Sequence, residues 1–304
     1  ALHAFAKGVV SLSIFRSLLG IAEAGNWPGA AKGNAEWFPT KERAFAQGIF
    51  NSGAAIGGIV AFPTIGLLSV YFSWHYIFIL VGLLGLIWLV PWWILVKSHP
   101  AKHPWISDEE RAYILTGQQN QDKDGDGVQD ERYNPTTGKK LIHKASRVVI
   151  IPSAAIDPIW WLVIFWIPIY LNEVYGMDVK AIGFYAWVPY VGAMIGAWFG
   201  GLLAQNRIKA GWTVNKTRKL VITLGCLIML PTLLAMANPG GPEIAVMLMA
   251  IILFGFQVAI GNVQTLPSDL LGGKSVGTLA GLAGMAAKLG AFGLTALVPW
   301  LTSG

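Results

Sequence analysis

Cysteine and charge are both scarce in this sequence. One cysteine, Cys226, occurs in 304 residues, which excludes a disulfide framework and a cysteine-ligated metal centre. Charged residues make up 12% of the chain, against about 25% in soluble domains. The HExxH signature is absent, as is any pair of aspartates within apolar segments, so an enzyme is not expected. The opening ALHAFAKG has no basic start followed by a cleavage site, so it does not read as a secretory leader. The sequence does not begin with Met, and apolar segments lie against both of its ends. A fragment of a longer protein is expected.

Apolar residues take the place of charge, at 54% of the chain. A bilayer core needs about 20 apolar residues per helix. Eight segments meet that length, at roughly 8–31, 44–70, 76–96, 151–172, 181–204, 219–237, 243–265 and 275–301. The expected fold is an all-α polytopic transmembrane bundle. Its expected organisation is 1–96 with three helices, a polar connection over 97–150, and 151–304 with five helices. If connections alternate sides, one side collects Lys32, Lys41 and Arg43, nine basic residues of 97–150, five between Arg207 and Lys219, and Lys274. That is eighteen of the 22 Lys and Arg. The bias marks this side as cytoplasmic and explains the net charge of +6 without nucleic acid. Gly192, Gly196 and Gly200, and likewise Gly273, Gly277 and Gly281, repeat every four residues, a spacing that lets helix backbones approach closely. Pro63, Pro168, Pro189 and Pro231 lie within apolar segments and are expected to kink them.

Arg16 and Glu23 stand in the first apolar segment, among Val9, Leu12, Phe15, Leu18 and Ile21. A charge at the bilayer centre costs roughly 3 kcal/mol or more, so such residues face a protein interior or a water-filled cavity. Seven residues is nearly two helical turns, which puts the pair on one face about 10 Å apart. A guanidinium grips a carboxylate through two parallel hydrogen bonds, and burial of a carboxyl disfavours its charged form. Arg16 is therefore expected to bind an anion and Glu23 to carry a proton, unless the two form a structural ion pair with a neighbouring helix. Lys288 is the other charge inside an apolar segment, either a second cation for an acidic ligand or the partner of an acid. Asp157-Pro158 is read as a cap near a helix start in preference to a pocket group. Asn51, Gln257 and Asn262 are amides within apolar helices. Trp161, Trp166, Tyr170, Tyr185, Trp187 and Tyr190 form an aromatic-rich region on two successive segments. From these, Asn51, Trp166, Tyr185, Gln257 and Asn262 are taken as candidate ligand contacts. They also suit ordinary helix packing.

The run Arg16-Ser-Leu-Leu-Gly20-Ile-Ala-Glu23-Ala-Gly25-Asn-Trp-Pro28, with Glu36-Trp37-Phe38-Pro39 and Glu42-Arg43, resembles the fourth helix and following loop of the anion:cation symporter branch of the major facilitator superfamily. It is most similar to the hexuronate transporters of that branch. The likeness continues in Asn51-Ser-Gly53, Trp166-Ile-Pro168, Val221-Ile-Thr-Leu-Gly225, Thr265-Leu-Pro-Ser-Asp269 and Gly277-Thr-Leu-Ala-Gly281. The resemblance implies helices four to eleven of twelve. It further implies proton-coupled symport of a sugar acid or similar organic anion by alternating access, by a monomer in the inner membrane with 97–150 cytoplasmic. The competing expectation is a transporter-like sensor or a non-transporting fragment. The superfamily's glycine–acid–basic loop motif would fall at Gly200-Gly201-Leu-Leu-Ala-Gln205-Asn206-Arg207, where the acid is missing.

No cofactor motif is present apart from one calcium-like run. Asp122, Asp124, Asp126 and Asp130, with Gly127 at the sixth position, match the start of a calcium loop. Tyr133 stands where a bidentate Glu would complete an EF-hand, and the run resembles a thrombospondin type 3 repeat. Calcium binding and a solvated acidic loop are the two readings. Ser107 is expected to cap a short helix that opens at Asp108.

Overall fold

The computed structural model describes residues 2–96, 99–123, 135–271 and 275–302. Among these the architecture is helical: α1 (Val9–Glu23), α2 (Asn26–Trp37), α3 (Thr40–Tyr71), α4 (Trp74–Leu95), α5 (Asp108–Lys123), α6 (Pro135–Tyr175), α7 (Val179–Tyr185), α8 (Val188–Lys209), α9 (Val214–Ala235), α10 (Pro242–Leu270) and α11 (Ser275–Thr302), with short 3-10 turns at Leu2–Phe5 and Pro100–Lys102. Seven helical stretches are long and apolar enough to cross a membrane. The first expected segment divides at Ala24 and Gly25 into α1 and α2. Neither piece alone reaches the length of a span, because α1 has 15 residues and α2 has 12.

Local chemistry accounts for several boundaries. Ser107 Oγ accepts from Glu110 N at 3.1 Å, the cap expected for α5. Asp178 Oδ1 accepts from Ala181 N at 2.8 Å at the start of α7. Helices α3, α6 and α9 continue through Pro63, Pro168 and Pro231. Pro189 corrects the expectation of a kink. It lies in the first turn of α8, where the missing N–H would have had no helical partner. A second correction concerns α6, which begins at Pro135 rather than near 151. The polar connection thus contributes helix, and Asp157 falls mid-helix. Of the calcium-like run, Asp124, Asp126 and Asp130 lie outside the described residues, as does the side chain of Asp122.

Helix α10 is the centre of the bundle. It packs on α8, α9, α6, α3, α2 and α11, and 67% of its most apolar window is buried. By contrast, α4 buries none of its window. The α8–α10 contact is backbone against backbone. A Cβ on Gly192 or Gly196 would overlap the carbonyl oxygens of Ala250 or Phe254, and one on Gly200 would lie 2.9 Å from Val258 Cα. The four-residue repeat on α8 therefore meets a four-residue repeat on α10. On α9, a Cβ at Gly225 would lie 2.5 Å from Gly255 O. The repeat at Gly273, Gly277 and Gly281 behaves differently. Gly273 lies outside the described residues, a Cβ on Gly277 meets nothing within 4 Å, and one on Gly281 reaches only Pro28 Cγ at 3.8 Å.

A second seam joins α3 to α7 and α8. Small residues line its whole length. Gly48 approaches the Ala197 carbonyl, Gly58 lies under the Tyr190 ring, and Gly66 faces Gly183. Near the basic end, two buried guanidiniums tie helix ends together. Arg43 donates to Ala35 O at 3.2 Å, Phe38 O at 3.1 Å and Ser268 O at 3.0 Å. It thereby satisfies carbonyls at the C-termini of α2 and α10, where a cation is favourable. Arg218 Nε pairs with Asp269 Oδ2 at 2.8 Å.

The packing contrast predicts the effect of two equal substitutions. Gly196→Ala should destabilise the full-length protein by about 1–3 kcal/mol through overpacking, read as a lower unfolding temperature in detergent. Gly277→Ala should be neutral or stabilising by up to about 1 kcal/mol, because alanine is the better helix former.

Candidate functional site

A cavity of about 620 Å³ opens between the α1–α2 corner and helices α3, α6, α10 and α11. That volume is within the range of about 300–1,000 Å³ common for small-ligand sites. The break at Ala24-Gly25 brings Glu23 and Trp27 to the wall. Trp27, Trp160, Trp161 and Phe256 supply aromatic surface, and Trp160 stacks on Phe256 with centroids 5.5 Å apart.

One side of the cavity carries a chain of amides. Asn34 Nδ2 donates to Gln47 Oε1 at 2.6 Å. Gln47 Nε2 donates to Asn51 Oδ1 and to Gln264 Oε1, both at 3.0 Å. Asn51 Nδ2 donates to Gln264 Oε1 at 2.9 Å and to Gln257 Oε1 at 3.4 Å. This network links α2, α3 and α10, and its Gln47, Asn51, Gln257 and Gln264 line the void. A hydroxyl-rich ligand could exchange hydrogen bonds with such groups. Asn51 and Gln257 were expected from sequence, whereas Asn34, Gln47 and Gln264 were not. The signal for Gln264 was available, since it follows Gln257 by seven residues and shares its face.

The opposite side carries charge. Lys288 Nζ lies 3.8 Å from Asp157 Oδ2 and 3.6 Å from the centre of the Trp161 ring. The Trp161 indole N–H donates to the same Asp157 oxygen at 3.0 Å. Glu23 lines the same cavity as Lys288. Asp157 is thus a pocket group and not a helix cap, a correction that follows from the early start of α6. Lys288 lines the void and pairs with an acid. Arg16 is not on this wall. It sits exposed on α1, two turns before Glu23.

A profile of the Major Facilitator Superfamily matches residues 1–294. The chain belongs to this superfamily. It is 36% identical over 280 residues to the hexuronate transporter of Escherichia coli K12, covering 91% of this chain and 63% of that relative. Identity to the galacturonate transporter of Dickeya chrysanthemi is 34% over 230 residues, which is 75% of this chain and 64% of that one. The D-galactonate transporter of Escherichia coli O6:H1 is 31% identical over 304 residues, at 99% and 70% coverage. The chain thus spans a little under two thirds of the length of the first two relatives. These are transporters by name and not enzymes. Together with seven helices of spanning length, the superfamily match makes this a multi-pass membrane protein.

Three residues expected to touch ligand in this superfamily member lie elsewhere. Asn262 is buried on the far side of α10. It accepts from Arg218 Nη1 at 3.1 Å and donates to Val258 O at 3.2 Å and Gly200 O at 3.5 Å. Tyr185 is at the opposite end from Arg43, where its hydroxyl donates to Glu243 Oε1 at 3.4 Å. Trp166 is half-buried on α6, outside the cavity wall. In the run that lacks the superfamily's loop acid, a Cβ on Gly201 would lie 2.9 Å from Ala44 O. Arg207 there rests 5.2 Å above the Trp212 ring.

The amide chain makes a stability prediction. Gln264→Leu removes the oxygen that accepts from both Gln47 and Asn51. The cost should be about 1–3 kcal/mol, as for a buried donor left without its partner, and thermal unfolding of the purified protein measures it.

Proposed function

We propose that this protein is a secondary active transporter that carries a sugar acid, in the class of glucuronate and galacturonate, together with a proton. The observation that carries the reading is the cavity itself: an aromatic and amide wall for a hydroxylated ring, with Lys288 positioned for a carboxylate. The names of the relatives support the substrate class. The protein would act as a monomer in the inner membrane, with the basic end cytoplasmic. Residues 1–96 and 151–304 would form the two bundles that rock about the cavity in alternating access.

Charge bookkeeping supports coupling at Glu23. Lys288 pairs with Asp157 and shares the cavity wall with Glu23 before any ligand enters. An entering carboxylate competes for the same cation, and a proton on Glu23 restores the balance. Arg16, two turns away on α1, would act outside this arrangement of the helices.

Uptake of labelled glucuronate by the full-length protein in proteoliposomes, with and without an uncoupler, tests the reading. Accumulation that collapses with the uncoupler is expected, and uncoupler-insensitive accumulation refutes proton coupling. Glu23→Gln should abolish accumulation while leaving exchange of internal for external substrate. Lys288→Met should weaken glucuronate binding at least tenfold, about 1.4 kcal/mol; unchanged affinity would remove Lys288 from the site.

A further inference from the structure

The cavity wall carries its charges unevenly. Among the described residues that line it, Lys288 is the one cation, and Glu23 and Asp157 are the two carboxyls. Lys288 is not free. Its Nζ lies 3.8 Å from Asp157 Oδ2, and Trp161 fixes both partners. The Trp161 N–H donates to Asp157 at 3.0 Å, and its ring faces Nζ at 3.6 Å, within the reach of a cation–π contact. Trp161 follows Asp157 by one turn on α6, while Lys288 comes from α11. The Asp157 side chain is 18% exposed and that of Lys288 is 52% exposed. The enclosed carboxylate therefore occupies the inner side of the cation and leaves its outer side to the void.

We propose that Asp157 is a resident carboxylate that takes one of two anion positions around Lys288, and so restricts the cavity to sugar acids with a single carboxylate. This rests on the reading of the cavity as a sugar-acid site. A uronate brings one carboxylate, which shares Lys288 with Asp157 from the open side. An aldarate brings a second. Within about 620 Å³ that second group meets no further cation on the described wall. It meets Glu23 and Asp157, and like charges sharing one site repel. Asn at position 157 would keep the size of the side chain and an oxygen for the Trp161 N–H. It would remove one negative charge and release Lys288 to a second carboxylate. Trp161 acts as a positioning residue for both groups.

The test uses purified full-length protein and two probes, glucuronate with one carboxylate and glucarate with two. Binding is read as the ligand concentration needed to raise the unfolding temperature, and transport as uptake into proteoliposomes. Native protein is expected to prefer glucuronate. In Asp157→Asn the ratio of glucarate to glucuronate affinity should rise at least tenfold. Trp161→Phe keeps the ring, loses the N–H, and should move the ratio several-fold in the same direction. It also serves where Asp157→Asn does not fold. A native protein that binds both acids equally, or a ratio unmoved in the variants, overturns the proposal. Selective binding without uptake supports the charge assignment and instead refutes the transport reading. Failure of both acids to bind refutes both readings.

Discussion

The carbonyl oxygens of Ala250 and Phe254 occupy the space where side chains at Gly192 and Gly196 would stand. That contact sets the rotation of α10 about its own axis. Ala250, Phe254, Val258 and Asn262 recur every four residues, and the first three of them meet the glycine row of α8. Asn262 ends the row with its amide on Gly200 O and its oxygen under Arg218. With this stripe committed to α8, Phe256, Ile260, Val263, Gln264 and Pro267 turn to the cavity. The helix thus presents one polar residue to a structural ion pair and another, Gln264, to the amide chain, from different faces of the same backbone.

Much of this was legible in residue patterns. The apolar segments mark the spans, the four-residue glycine repeat on α8 marks its close contact, and an amide or charge inside an apolar run marks a group that must face inward. Glu23, Asn51, Gln257 and Lys288 all follow from that last rule, which rests on the cost of unpaired polar groups in lipid. The same rule does not distinguish a cavity from a buried network, as Asn262 shows, and Arg16 departs from it by sitting exposed on α1. Two glycine repeats with equal spacing proved unequal, because spacing says that close approach is permitted and not that a partner is present. Hydropathy also set the start of α6 too late. A polar helical turn and a polar loop have the same hydropathy, so Asp157 looked like a cap. Arg43 and Arg218 counted as topological charge, yet both are buried and bind helix ends.

The cavity combines two ways of keeping polar groups in an apolar bundle. On the α3–α10 side, neutral amides satisfy one another and leave some capacity toward the void. On the α6–α11 side, opposite charges share an indole that packs against one and hydrogen-bonds the other. A neutral network tolerates exchange of partners at little cost, whereas an ion pair losing one member exposes an uncompensated charge. The two walls of the cavity therefore differ in stiffness.

The seam between α3 and the α7–α8 pair has a mechanical meaning. Gly48, Gly66, Gly183 and Gly201 hold the helices at backbone distance, and between them Gly58 admits the Tyr190 ring. Helices that close can roll or tilt but have little side-chain layer to compress. Across the cavity, α2 and α11 meet more loosely, with a Cβ at Gly281 reaching only Pro28 Cγ at 3.8 Å. The seam is then the spine of a book and the α2–α11 contact its open edge. A change in cavity width is a small angle at the spine and a large displacement at the edge.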